Sequence, residues 1–158
     1  MTNSMKDESD SFRWKIFKNG IGSVAIVNIE VLPNQLGRNE IEEYYTGGGF
    51  IGQGYIEEIP ATGYDSWKLA ARNALGYAFS LSVTHWTVRI HKIEGRSFTD
   101  TNATVVGYTV LLAFLDKIGI QLDREQTDIF EDFVLKSWVK PYRELIPDFF
   151  TVTYTEYE

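Results

Sequence analysis

The dipeptide Asn19-Gly20 falls between two strand-like runs, and it constrains this chain more than any other local feature. Asn-Gly readily adopts the two positive φ angles of a two-residue hairpin turn. Before it, Phe12-Arg-Trp-Lys-Ile-Phe-Lys18 alternates apolar and basic residues, the pattern of a strand with one wet face. After it, Ile21 to Leu32 is rich in Val and Ile and reads as a second strand, ended by Pro33-Asn34 and a loop to Arg38.

The next stretch, Glu40 to Ile59, holds Gly47, Gly48, Gly49, Gly52 and Gly54. Glycine costs a helix about 1 kcal/mol per residue relative to alanine, so an extended segment with a bulge or turn is expected. Tyr64 to Phe79 reads as a helix, with Trp67, Ala70, Ala71, Ala74, Leu75 and Ala78 on one face and Asp65 or Ser66 as cap. Val83 to Ile93 alternates as a half-buried strand: Trp86, Val88 and Ile90 face one way, and His85, Thr87, Arg89 and His91 the other. A second helix follows, capped by Thr99 or Asp100 and stopped by Gly119, with Val106, Val110, Leu111 and Phe114 in its stripe. Asp123 and Gln126 form a capping-box pattern for a third helix reaching toward Pro141, with Phe130, Phe133, Val134 and Trp138 inward. Phe150 to Tyr154 alternates as a last strand. Strands, helix, strand, two helices and a strand predict an α+β fold, a mixed sheet with helices packed on one face.

Composition fits this reading. A chain of 158 residues buries roughly two-thirds of its unfolded surface. With 44% apolar and 23% charged residues it matches globular averages. It has no cysteine, so neither a disulfide framework nor a thiolate metal site is available. Met1 to Ser11 is polar and acidic, is expected to be a disordered leader, and has no apolar signal-peptide core. No apolar run is long enough to span a bilayer. Together these features give the expectation of a cytoplasmic domain over residues 12–158 without membrane contact. The net charge is −7, so any contact with nucleic acid would need a local basic face.

Three stretches resemble elongation factor G domain IV. Ile21-Gly-Ser-Val-Ala-Ile-Val-Asn-Ile-Glu-Val-Leu-Pro33 is similar to that family's opening strand. Glu57-Glu-Ile-Pro-Ala61 resembles its Glu-Tyr-Ile-Pro-Ala before the first helix. Val88 to Ser97, with Asp100-Thr-Asn-Ala, resembles its strand, glycine turn and helix start. The resemblance covers residues 21–119, leaving residues 120–158 as a helix-and-strand extension. It implies a split β-α-β arrangement with a left-handed crossover, the ribosomal protein S5 domain 2-like fold. It also implies a non-catalytic, translation-related binding module that contacts the ribosome or RNA through loop tips. Those tips would here be Asn34 and Gln35, and Gly47, Gly48 and Gly49. The sequence has no Gly-Lys-Ser/Thr phosphate loop, so elongation activity as such is not expected.

No motif carries catalysis. Gly47-Gly-Gly-Phe-Ile-Gly52 matches G-x-G-x-x-G, but no apolar strand precedes it and no helix start follows, so it reads as a turn and no cofactor is expected. His85 and His91 are six residues apart on a strand, about 20 Å, too far to share a metal. Gly-x-Ser-x-Gly is absent. The acids Asp123, Glu125, Asp128, Glu131 and Asp132 suit the start of a helix without a catalytic role. Two basic groups are candidates for RNA or partner contact: Arg13, Lys15 and Lys18, beside Trp14 and Phe17, and Arg89, His91, Lys92 and Arg96. The competing reading is a protein-interaction or self-assembling domain using exposed Tyr44, Tyr45, Phe50 and the terminal strand from Tyr154, a homo-oligomer being one form it could take. A small enzyme with a pocket not visible in sequence is the third.

Overall fold

The computed structural model describes residues 10–139 and 144–157. Most of the expected leader, and Pro141, lie outside them. The first hairpin is as the sequence predicts: β1 (Phe12–Lys18) and β2 (Ile21–Pro33) pair antiparallel. Asn19 and Gly20 take φ of 55° and 76° between them. β2 pairs in turn with β5 (Trp86–Gly95), again antiparallel. The far edge of β5 is shared by two short strands from the glycine-rich region. β3 (Glu40–Glu43) lies parallel to residues 87–90, and β4 (Glu57–Glu58) antiparallel to residues 94–95. The sheet is therefore mixed and the class is α+β.

The sheet's apolar face is set by parity. On β2, Ala25, Val27 and Ile29 are buried. On β5, Val88, Ile90 and Ile93 are buried, and the spacing changes from two to three after Ile90. A register shift explains the change: Ile29 pairs with Ile90 and Asn28 with Lys92, leaving His91 unmatched. Strict alternation would have sent Lys92 into the core; the bulge sends Ile93 there instead.

Three helices complete the core: α1 (Asp65–Phe79), α2 (Ala103–Ile118) and α3 (Arg124–Leu135). α2 lies across β1 and β2, α1 packs beside it, and α3 packs against it. Their approach depends on small residues. A Cβ on Gly107 would meet the Ala70 carbonyl oxygen at 3.2 Å and the Phe149 ring at 3.1 Å. Ala70, Ala71 and Ala74 are wholly buried. The Trp14 and Tyr108 rings meet edge to face at 5.1 Å, joining β1 to α2.

Helix ends correct several expectations. α1 starts after Tyr64, which has φ 55° and no side-chain cap bond, so neither Asp65 nor Ser66 is its cap. The α2 cap is Asn102, whose Oδ1 accepts from the Val105 amide at 2.8 Å, not Thr99 or Asp100. Residues 99 and 100 instead belong to a turn closed on the Arg96 carbonyl. Gly119 ends α2 at φ 78°, as expected. Asp123 caps α3 through the Gln126 amide at 2.8 Å. The Gln126 side chain does not complete a capping box; its amide donates to the Tyr77 hydroxyl at 3.0 Å, tying α3 to α1. α3 ends at Leu135, before Trp138, whose indole N–H donates to Ser23 Oγ at 3.0 Å.

The last strand is one arm of a hairpin, β6 (Leu145–Asp148) with β7 (Thr153–Glu156). Phe150 to Val152 forms its turn rather than a strand. β6 lies against α1 and α2, and Tyr154 stacks on Phe133 at 4.4 Å, so the hairpin covers the helices and does not extend the main sheet.

Candidate functional site

Among the sequence's candidate residues, β5 and its neighbours assemble a polar network on the sheet face away from the helices. The Arg89 Nε donates to Glu42 Oε1 at 2.9 Å, and its Nη1 lies 3.7 Å from Glu30 Oε1. His91 Nε2 sits 2.8 Å from that same Glu30 oxygen, and the Tyr44 ring stacks on the His91 ring at 5.7 Å. The Tyr44 hydroxyl donates to Glu42 at 2.7 Å. That bond first, and Arg89 second, hold the Glu42 carboxyl below its ordinary range. The same Glu42 bond raises the Arg89 guanidinium further. Lys92 is buried with its ammonium 3.4 Å from Glu94, and Arg96 is 3.1 Å from Asp100. Each of these four basic side chains thus faces a carboxylate.

The other basic group is placed differently. Arg13, Lys15 and Phe17 share the outer face of β1, all exposed to solvent, with Phe17 74% accessible, and Lys18 is exposed at the turn. The two candidate tip loops lie at opposite ends of β5. Asn34 bonds Thr87 Oγ1 at 3.0 Å near the start of that strand. Gly47 and Gly49 donate to the Ile59 and Glu58 carbonyls, at 3.0 and 2.9 Å, beside its end. Gln35 is exposed. Gly47 is required where it stands: an added Cβ would lie 2.1 Å from the Glu58 carbonyl oxygen, whereas one on Gly48 would meet open space. Tyr44 and Phe50 are exposed as expected, whereas Tyr45 is buried, its hydroxyl on Glu43 at 2.8 Å and its ring under the Lys68 ammonium.

A second constellation has no signal in the sequence. The loop after β5 and the start of α1 wall a cavity of about 280 Å³, lined by Phe50, Tyr64, Ser66, Trp67, Ser97, Phe98, Thr101 and Glu144. The wall is held from behind by Glu57, only 2% exposed. Its carboxyl accepts from the Ser97 amide at 3.2 Å, from the Ser97 hydroxyl at 2.7 Å and from the Tyr64 hydroxyl. Burial, then the Glu57 bond, pushes the Tyr64 hydroxyl up to about 12, so it stays a donor at neutral pH. Thr101 fastens the other end of the loop. Its hydroxyl donates to the Val24 carbonyl at 2.6 Å and accepts from the Arg96 amide at 2.8 Å. Opposite, Glu144 accepts from Ser66 Oγ at 2.9 Å, and burial raises its carboxyl above the ordinary range.

Aromatic rings frame this cavity in two edge-to-face pairs, Tyr64 with Trp67 at 5.1 Å and Phe50 with Phe98 at 6.4 Å. Phe98 is 81% exposed and Phe50 52%. Phe98, at φ 65°, and Tyr64, at φ 55°, are two of the four non-glycine residues with positive φ among those described. Such a backbone costs of order 1–3 kcal/mol and persists where surrounding structure imposes it, often at binding sites. Packing does not explain an exposed phenylalanine in this conformation.

A larger hollow of about 570 Å³ lies between β1, α2 and the 119–131 region, lined by Trp14, Tyr108, Asp116 and Glu131 among others. Like the smaller hollow it opens to solvent, and Asp116 on its wall is exposed to water. Among the described residues, no group of three His, Asp or Glu side chains could hold a metal, and no helix is long and apolar enough to cross a membrane.

No protein family and no curated protein matches the chain. Among solved structures it is similar to the crystal structure of ttk003000868 from Thermus thermophilus. The identity is 15% and the TM-score 0.48, over 66% of this chain and 14% of that one. A likeness at that level says nothing of what either protein does.

Proposed function

We propose that this chain is a non-catalytic binding module, and that its binding site is the cavity between Phe50, Tyr64, Trp67, Phe98 and Glu144. The observation that carries this reading is an aromatic-walled hollow with two residues of positive φ, Tyr64 and Phe98, in its lining. Binding fits the side chains better than turnover. The Tyr64 hydroxyl, raised to about 12, stays protonated at neutral pH and is no base there, and the Glu57 carboxyl that faces the Ser97 hydroxyl is already occupied by the Ser97 amide and the Tyr64 hydroxyl as structural donors. The test is an amide-resolved NMR titration with mixtures of small acids, amines and neutral aromatics. Shifts clustered at Trp67, Ser97, Phe98 and Thr101 are expected; shifts that cluster elsewhere, or none, contradict the assignment.

A second reading, RNA or ribosome contact in keeping with the elongation factor G resemblance, is favoured by one observation. Arg13, Lys15 and Lys18 stand exposed along a single strand, beside an exposed Phe17. Three phosphate contacts would give a salt slope of roughly −2 for single-stranded RNA. An RNA mobility shift with that slope, abolished by reversing Arg13 and Lys15 to Glu, is its expected outcome. No shift at low salt removes it.

A further inference from the structure

We infer that the cavity takes a small organic cation, an alkylated ammonium group of about the size of choline. The inference rests on the reading of this cavity as the binding site and adds the chemistry of the occupant. Four aromatic side chains, Phe50, Tyr64, Trp67 and Phe98, line a space of about 280 Å³. Ring faces carry negative partial charge, and a cation within about 6 Å of a ring centre is attracted by it, at exposed sites as well as buried ones.

The ionisable lining points the same way. Among the described residues, Glu144 is the one carboxylate lining the cavity, and no Lys, Arg or His lines it. Glu57 lies directly behind the Tyr64 and Ser97 wall. On the loop that carries Phe98, Arg96 is paired with Asp100 at 3.1 Å. Burial disfavours the Glu144 carboxylate, and the two donors that bond it, the Ser66 hydroxyl at 2.9 Å and the Ala103 backbone amide, are both neutral. An ammonium group held among the rings supplies an opposite charge to this half-buried carboxyl. An anionic ligand would meet a carboxyl and, among the described residues, no cationic side chain.

The exposed pair Phe50 and Phe98 gives the rim a means of accommodating the ligand. Both belong to loops, one in the glycine-rich segment between Gly49 (φ 84°) and Gly52 (φ 144°), the other on the turn fastened by Ser97 and Thr101. Their rings stand edge to face at 6.4 Å, at the mouth rather than in the core.

The test compares choline with its uncharged carbon isostere, 3,3-dimethylbutan-1-ol, by NMR titration of the whole chain. Choline is expected to shift the amides of Trp67, Ser97, Phe98 and Thr101 and to bind about tenfold or more tightly than the isostere. Glu144→Gln should lower choline affinity about tenfold and leave the isostere unchanged, and Phe98→Asn should weaken choline while the chain stays folded by amide dispersion. Equal or tighter binding of the isostere at those amides overturns the cation assignment but leaves the cavity as the binding site. If neither compound shifts those amides, the cation assignment fails; the cavity reading itself is then decided by the acids and neutral aromatics of the wider titration.

Discussion

Ser97 donates twice to Glu57, from its amide at 3.2 Å and its hydroxyl at 2.7 Å, across 40 positions of sequence. These two bonds latch the turn after β5 onto the edge strand β4, and the Tyr64 hydroxyl adds a third donor from the start of α1. The cavity exists because three separate segments close on one buried carboxyl. Glu57→Gln keeps the shape but puts an amide N–H₂ where an acceptor is needed. It should lower the unfolding free energy by about 1–3 kcal/mol, read as a drop in the denaturant midpoint at constant slope. An unchanged midpoint would mean the latch contributes nothing.

Thr101→Val removes one hydroxyl and keeps the volume. The Val24 carbonyl and the Arg96 amide both lose their partner at Thr101. A loss of about 2 kcal/mol is expected from thermal unfolding. Gly95→Ala should be at least as damaging, since its Cβ would come within 2.5 Å of the Thr101 hydroxyl oxygen and methyl.

How much of this can be read from the sequence differs by element. The first hairpin is legible because Asn19-Gly20 and the flanking alternation are local signals, and α2 and α3 because their stripes and the Gly119 and Asp123 ends are local too. Strict alternation fails at Lys92 because the bulge opposite Asn28 is a property of two paired strands, not one. The start of α1 is legible to within one residue, but its cap is not: no side chain caps it, and the left-handed backbone of Tyr64 is imposed by the fold around it. The cavity is invisible for the same reason. Phe50, Glu57, Tyr64, Phe98 and Glu144 carry no shared motif and meet only after the chain folds. The basic residues on β5 are evident as a group, but their carboxylate partners, Glu30, Glu42 and Glu94, come from spacing and pairing that sequence alone does not give.

Phe98 is the residue where stability and binding should diverge. It is 81% exposed at φ 65°, so its side chain gains little from burial while its backbone is strained. Phe98→Asn, which tolerates that backbone, should raise stability by up to about 1 kcal/mol. A clear loss of stability in thermal melts would show that the ring is held for packing.

Glu144 gives a pH signature. Its folded-state carboxyl is raised by burial, so between its unfolded value and its folded value the native state holds more protons. Stability from this group is therefore fully present below the unfolded value and is lost as pH rises through the folded one. Glu144→Gln should flatten that part of the stability profile above pH 4.5, the ordinary value. A profile identical to that of the parent would contradict the shift.

On the opposite sheet face, Glu42 shifts the other way, chiefly through the Tyr44 hydroxyl. Tyr44→Phe should move the Glu42 carboxyl titration up toward its ordinary range in carbon-detected NMR. Because Arg89 still lies 2.9 Å away, part of the lowering should remain. No movement would assign the whole effect to Arg89.

The most direct measurement is a crystal structure of the whole chain soaked with choline at saturating concentration. Trimethylammonium density is expected between Phe50, Trp67 and Phe98, with the Glu144 carboxylate as its nearest charge. Density at another surface, or a cavity filled only by ordered water under those conditions, would contradict it.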